Sequence, residues 1–257
     1  DDCAGAITLT PSPVYTPIAG TLIDAVASTI SGCSSGIDVW YQFTATGPIH
    51  TINLNNVVGN TDLFHVLYSG NNCGALTQLY CSDPNNSIAT GLTAGQTYWI
   101  RIYTWTGTQG QSSTFDVCVG TPPPPPANDN CAAAIEVPVN ADHYCGQIVP
   151  GTIAWSTPST EANTCATTQD DDDVWFEFTA TSTNHIISFL NVTGSALSHA
   201  LYAGDQCGTL TQLYCNTTNM SFPTGLTIGQ TYKVRVYTTT ATTGQTTTFN
   251  ICVGTPP

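Results

Sequence analysis

The sequence predicts an all-β fold: two tandem antiparallel β-sandwiches, jelly-roll-like, joined by a polyproline linker. Three observations predict it. The first is a repeat. CGALTQLYC, from Cys73 to Cys81, returns as CGTLTQLYC, from Cys207 to Cys215, with eight of nine letters identical at an offset of 134. GLTAGQTYWIRIYT from Gly91 returns as GLTIGQTYKVRVYT from Gly225. FDVCVGTPP from Phe115 returns as FNICVGTPP from Phe249, and DVWYQFTAT from Asp38 as DVWFEFTAT from Asp173. Self-similarity of this length means two copies of one module, and 257 residues give each copy roughly 125, enough to bury a core. The second observation is texture. Short runs rich in Val, Ile, Thr, Tyr and Phe are separated by Gly, Asn, Pro and Ser clusters, a strand-and-turn pattern. The third is that no segment keeps a helical period over three turns.

In the first copy the runs place strands at 7–10, 21–25, 39–45, 50–55, 63–68, 76–81, 97–104 and 114–119, and the second copy repeats them. Many short strands in so small a module argue for a sandwich. The alternation of Tyr98, Ile100 and Ile102 with Trp99, Arg101 and Tyr103 suits a strand with one buried face. Residues 1–121 form the first repeat and 127–257 the second. Between them run five prolines, 122–126, a semi-rigid polyproline II spacer of about 15 Å at ~3.1 Å per residue. Both ends fall in or near linker-like sequence. Either a longer tandem array or the cleavage of export signals accounts for this, and the array is preferred.

Charge excludes partners. The formal net charge is -14, and the cations number three: Arg101, Lys233 and Arg235. Nucleic-acid binding needs many cations to displace counterions from phosphate, and anionic membrane surfaces demand the same. No apolar run approaches a membrane span. Low lysine with abundant Thr, Ser, Asn and Gly suits a secreted or cell-surface protein.

Eleven cysteines point the same way, because disulfides persist in oxidising compartments. There is no CxxC pair to suggest zinc. Cys73 and Cys81 lie eight residues apart and are expected to pair, as are Cys207 and Cys215. The opening and closing cysteines, Cys3 with Cys118 and Cys131 with Cys252, would join first and last strands. Cys145 with Cys165 completes the second copy, where Tyr15 stands near the place of Cys145 in the first. That leaves Cys33 over, either buried and inert or joined to a neighbouring chain. The alternative pairing of Cys3 with Cys33 would instead leave Cys118 free.

NDNCAAAIEV, DVWFEFTAT, ALYAGDQCGTLTQLYC and GLTIGQTYKVRVYT resemble the pre-peptidase C-terminal-like β-sandwich repeats of large secreted and surface proteins of Bacteroidota. The resemblance covers nearly all of both copies. It implies an exported, often multi-domain protein, adhesive or attached to an enzyme, and frequently stabilised by calcium.

Calcium takes six to eight oxygens from loops without regular spacing. Asp1, Asp2, Asn128 and Asp129 at the module openings, with Asp38, Asp172 and Asp173 before the Val-Trp strand, offer such a set. Asp170 and Asp171 crowd in beside them. The cluster reads as a calcium site between opening and strand, or as a solvated acidic loop. Asp83, Asn85 and Asn86 face Asn216, Thr217 and Thr218 in the second copy, which makes a second metal site doubtful.

His50 with His185 and His65 with His199 recur and are read as packed or hydrogen-bonded residues in preference to zinc ligands; His143 is unmatched. Trp99, Tyr103 and Trp105 form a conceivable sugar platform. Lys233 and Thr239 replace the two tryptophans in the second copy, so core or turn packing is the better reading. Arg101 and Arg235 are read as structural ion-pair partners. Asn191-Val192-Thr193 and Asn216-Thr217-Thr218 are glycosylation sequons. No GxSxG, HExxH or phosphate-loop motif is present, so no enzyme is expected. The leading expectation is an extracellular structural or adhesive module, self-associating or packed against neighbouring repeats, with assembly into a surface filament through sheet edges, termini or Cys33. The alternative is a carbohydrate-binding appendage of a secreted enzyme that meets surface glycans.

Overall fold

The computed structural model describes residues 2–30, 32–33, 36–59, 62–104, 112–161, 163–165, 172–239 and 243–257. A short 3-10 turn at Cys3–Gly5 opens the first copy. It is followed by β1 (Ile7–Leu9), β2 (Ile18–Thr21), β3 (Asp38–Thr44), β4 (His50–Val58), β5 (Leu63–Ser69), β6 (Thr77–Ser82), β7 (Asn86–Ala89), β8 (Thr97–Thr104) and β9 (Thr114–Gly120). Five strands in the order β1-β3-β8-β5-β6 face four in the order β2-β9-β4-β7. All pairs are antiparallel except β1 on β3, which run parallel with Ile7 opposite Tyr41.

The second copy repeats this plan. A 3-10 turn at Cys131–Ala133 precedes β10 (Ile135–Glu136), β11 (Val139–Asn140), β12 (Val149–Thr152), β13 (Asp173–Thr179), β14 (Ile186–Thr193), β15 (Leu197–Ala203), β16 (Thr211–Asn216), β17 (Met220–Ser221), β18 (Thr231–Thr238) and β19 (Thr248–Gly254). Its sheets run β10-β13-β18-β15-β16 and β11-β19-β14-β17, with β12 also on β19. The chain divides into two units, Asp1–Pro123 and Pro124–Pro257. Among the described residues no helix is long and apolar enough to cross a membrane.

Period-two alternation builds the core. Leu9, Phe43, Ile52, Leu54, Leu67, Ile100 and Val117 meet between the first pair of sheets. Phe176, Phe178, Ile187, Leu201, Val234 and Ile251 do so in the second. Two elements depart from expectation. The second strand lies at Ile18–Thr21 and not 21–25, because Leu22 turns inward and donates to Ser113 O while Ala25 donates back to Leu22 O. The short polar run of β7 reads as turn, yet it forms an edge strand on β4.

The larger departure concerns β8, which is buried on both faces for most of its length. Behind the five-stranded sheet, Cys3, Trp40, Val66, Tyr68 and Tyr103 form a second small core, and Cys131, Trp175, Ala200, Tyr202 and Tyr237 form its counterpart. Loops cover these outer faces, and disulfides hold them there. Cys3 pairs with Cys73 (Cα–Cα 5.8 Å) and Cys33 with Cys81 (6.3 Å). Cys131 pairs with Cys207 (5.9 Å) and Cys165 with Cys215 (5.9 Å). Cys145 bonds Cys252 (5.7 Å).

The expected connectivity is therefore corrected throughout. Cys73 cannot meet Cys81, nor Cys207 meet Cys215, because most of an extended strand rising about 3.3 Å per residue separates them while a disulfide needs Cα atoms within roughly 7 Å. Cys3 and Cys131 sit behind the five-stranded sheet. Cys118 and Cys252 point outward from the opposite sheet, because Val117, Val119, Ile251 and Val253 turn into the core between them. Cys165 goes to Cys215, so Cys145, carried by the loop between β11 and β12, closes onto Cys252. The unpaired cysteine is Cys118, buried at 5% exposure. Cys33 is bonded within its own module and is not a link to another chain.

Candidate functional site

A repeated ion-pair frame occupies the predicted acidic positions. Asp38, at the start of β3, is wholly buried. It accepts from Ser28 N (3.1 Å), Ser28 Oγ (2.8 Å) and Trp40 Nε1 (2.9 Å). Arg101 on β8 reaches it with Nε at 2.7 Å and Nη2 at 2.6 Å. The same guanidinium donates to Ile30 O and Gly36 O, tying the covering loop to the sheet. In the second copy Asp173 accepts from Ser159 N (2.6 Å) and Oγ (2.7 Å) and pairs with Arg235 at 3.2 Å. Arg235 donates in turn to Glu161 O. Burial pushes the Asp173 carboxyl upward against the pull of Arg235. Lys233 pairs with Glu177 at 2.7 Å and also donates to Cys131 O. All three cations of the chain are thus engaged internally.

The other predicted ligands serve as loop anchors. Asp129 accepts from Thr157 N (2.6 Å) and Oγ1 (2.7 Å). Asp172 accepts from Thr238 N (3.1 Å) and Oγ1 (2.9 Å). Asn128 donates to Trp175 O at 2.9 Å. Asp2 is exposed, and Asp1, Asp170 and Asp171 lie outside the described residues. A calcium ion needs carboxylate oxygens free of competing donors, so Asp38, Asp129, Asp172 and Asp173 as arranged do not fit one. Among the described residues the grouping of metal-type side chains is Cys131, Glu161 and Cys207, whose two sulfurs are bonded to each other.

The histidines are structural. His50 Nδ1 donates to Gly120 O and Nε2 accepts from Thr46 N; His185 repeats this with Gly254 O, Thr181 N and Ser182 N. His65 shares a 2.6 Å hydrogen bond with Ser87 Oγ, and His199 a 2.7 Å one with Ser221 Oγ. Tyr80 and Tyr214 meet the same serines at 2.9 Å. The Nδ1 atoms of His65 and His199 are buried without a partner. Burial lowers both rings to about 4. Trp99 and Tyr103 do not present a shared exposed face. Trp99 turns its indole N–H to Gly70 O (3.0 Å), Tyr103 is buried and stacks on Phe64, and Trp105 lies outside the described residues.

Among the described residues, an arrangement with room for a ligand lies along the sheet edge where the first short strands run. In the second copy a groove of about 600 Å³ is lined by Ile135 on β10, Pro150 and Gly151 on β12, Asn191 on β14, and Phe249 and Asn250 on β19, with residues 126–128 as one wall. A Cβ on Gly151 would fall 2.5 Å from the Phe249 ring and 2.9 Å from that of Phe176, so only glycine lets β12 settle this low. In the first copy a groove of about 290 Å³ shares Ile7, Ala19, Gly20 and Thr21 with this plan but continues along Ile23, Asp24 and Tyr41. A Cβ on Gly20 would strike Phe115 and the Tyr41 hydroxyl, an atom that Phe176 lacks.

A matched bulge differs in the same way. Asn56 and Asn191 both adopt positive φ, 50° and 53°, where the ladders of β4 and β14 slip. Asn56 is held by Asp116 Oδ2 at 2.7 Å. In the second copy Asn250 stands at the position of Asp116, and both amides line the groove with no side-chain hydrogen bond to a described residue. Sequence reasoning missed this site, although a glycine recurring inside a strand-like run was a readable signal.

Solved structures similar to this chain include the tandem CBM51 modules of Sp3GH98, the family 98 glycoside hydrolase from Streptococcus pneumoniae SP3-BS71. They are 10% identical, with 91% of this chain and 83% of that one covered and a TM-score of 0.25. The N-terminal CBM22-1–CBM22-2 tandem of Xyn10C from Paenibacillus barcinonensis is 12% identical over 94% and 85% of the chains, TM-score 0.24. The CUB1-EGF-CUB2 domains of rat MASP-1 are 7% identical over 95% and 99%, TM-score 0.24. Likenesses this distant carry no argument about binding. No curated protein matches. The family described as galactose binding domain-like, associated with the type IX secretion system, matches residues 1–117 and 127–251. The match bears out the secretion-associated β-sandwich that the resemblance implied, without reaching the pre-peptidase C-terminal-like family in particular. The chain belongs to that galactose binding domain-like family, as two tandem members of it.

Proposed function

We propose that this chain is a pair of non-catalytic, extracellular carbohydrate-binding modules of a larger exported protein. The observation that carries the reading is membership of both copies in the galactose binding domain-like family. Five disulfides support an oxidising compartment. A cleft of ligand size supports binding. The Asp–Arg pairs and the His–Ser–Tyr clusters are buried and committed to hydrogen bonds within the sandwich, which suits a scaffold. The test is a glycan array probed with the intact, oxidised chain. Saturable binding to a defined set of glycans supports the reading, and an array blank across neutral and acidic glycans would remove it.

A second reading, self-association into a filament, is favoured by one observation. On the edge away from the groove, Leu79 on β6 and Ile88 on β7 are exposed, and Leu213, Met220 and Phe222 are exposed on the matched edge. Open edges accept strands from other copies. Electron microscopy of the intact protein decides this. Ordered polymers would establish it, and discrete particles at all concentrations would remove it.

A further inference from the structure

We infer that the sugar site is the groove of the second copy alone, and that it takes a neutral hexopyranose, not an acidic glycan. The inference rests on the carbohydrate-binding reading above and goes beyond it by assigning the site, the residues and the ligand class.

Four observations carry it. The groove's volume of about 600 Å³ falls in the range of small-molecule sites. Asn191 and Asn250 present amide groups to it that no described side chain or backbone atom engages, and an amide both donates to and accepts from a hydroxyl. Ile135 and Pro150 add an apolar wall suited to the C–H face of a pyranose ring. Finally, recognition of a carboxylated or sulfated sugar calls for a free cation. Arg101, Lys233 and Arg235 are each paired internally in a chain of net charge -14. The field of the molecule repels anions.

The first copy lacks the open pair of amides. Asp116 holds Asn56, Asp24 adds a carboxylate, and the Tyr41 hydroxyl reaches toward Gly20. One letter, Asp116 against Asn250, separates an amide held by a carboxylate from a pair of open amides.

The experiment titrates the intact chain with methyl β-D-galactopyranoside, lactose and 3′-sialyllactose by calorimetry, using the wild type, Asn250→Asp and Asp116→Asn. Expected is one neutral-sugar site per chain, with little response to the sialylated sugar. Asn250→Asp, which imports the first copy's pairing, should weaken binding about ten-fold or more, the loss of one well-made hydrogen-bonding group. Asp116→Asn should leave the existing site untouched. Should Asn250→Asp disturb folding, the side-chain amide NMR signals of wild-type Asn191 and Asn250 must shift on addition of the galactoside while that of Asn56 does not. Neutral-sugar binding unaffected by Asn250→Asp, or shifts confined to the first copy, would overturn the assignment and leave the function standing. Tighter binding of the sialylated sugar would overturn the ligand class. Binding of none of these sugars, nor of any glycan on the array, would overturn the function itself.

Discussion

The two copies share their frame and differ around it. Asp38, Trp40 and Arg101 are matched by Asp173, Trp175 and Arg235, down to the serine that caps each carboxylate. His65, Ser87 and Tyr80 are matched by His199, Ser221 and Tyr214. What differs is peripheral. The loop between β11 and β12 carries Cys145 onto Cys252, while Cys118 at the same place stays single. Lys233 replaces Trp99, and Asn250 replaces Asp116. Buried polar groups resist change because a lone survivor would sit desolvated. Positions outside the main cores are free to diverge, and a binding specificity can be written there.

The sharpest way to break this comparison is to remove what only the second copy has. Cys145→Ser opens a loop spanning 107 residues. On the chain-entropy model that costs about 4–5 kcal/mol, and calorimetry should show the second copy's transition falling while the first, which lacks the bridge, stays. Next in size is the shared frame. Arg101→Met and Arg235→Met each leave a buried carboxylate unpaired and should destabilise their own copy by about 3–5 kcal/mol, in matching amounts. Unequal losses would show that the frames are alike only in letters.

Much of this frame was legible beforehand. Matched Asp, Trp and Arg at constant offset announce a pair, and β8 was placed to the residue. The disulfides were not legible, because spacing along the chain does not say which side of a sheet Cys3, Cys118 or Cys145 will occupy. The second small core behind the five-stranded sheet hid for a related reason. Nothing in the alternation of Trp99, Arg101 and Tyr103 says that Ile30 and Gly36 will close over Arg101, as Ser159 and Glu161 do over Arg235. The groove depends on Gly20 and Gly151 in strands that pattern alone located imperfectly. It depends also on left-handed asparagines, which no periodicity marks. The acidic cluster misled because charge density suggests a cation, whereas Asp129 and Asp172 are occupied by backbone N–H and threonine hydroxyl donors.

A smaller effect is common to both copies. His65 and His199 titrate at about 4 in the native protein against 6.5 when unfolded. Between those values the unfolded chain binds protons that the native chain refuses, so stability falls as pH drops from 6.5 to 4. The loss reaches about 3 kcal/mol per histidine and is complete below that window. His65→Gln should flatten the slope for the first copy, and His199→Gln for the second, in denaturant titrations at stepped pH. Cys118 gives a smaller signal still. Burial raises its thiol, so it should resist alkylation in the native protein and become the single reactive thiol in denaturant without reductant. The smallest expected effect is that of calcium. Chelation should leave both transitions in place, and a calcium-dependent rise would show that an ion is bound after all.

The central claim, a common frame with its binding site in one copy, is met most directly by a crystal structure of the intact chain with methyl β-D-galactopyranoside. The account predicts one sugar per chain, in the groove between β10 and β12, with hydroxyls on the side chains of Asn191 and Asn250. A sugar seated in the first copy's groove, or on the loop beside Trp99, would contradict it.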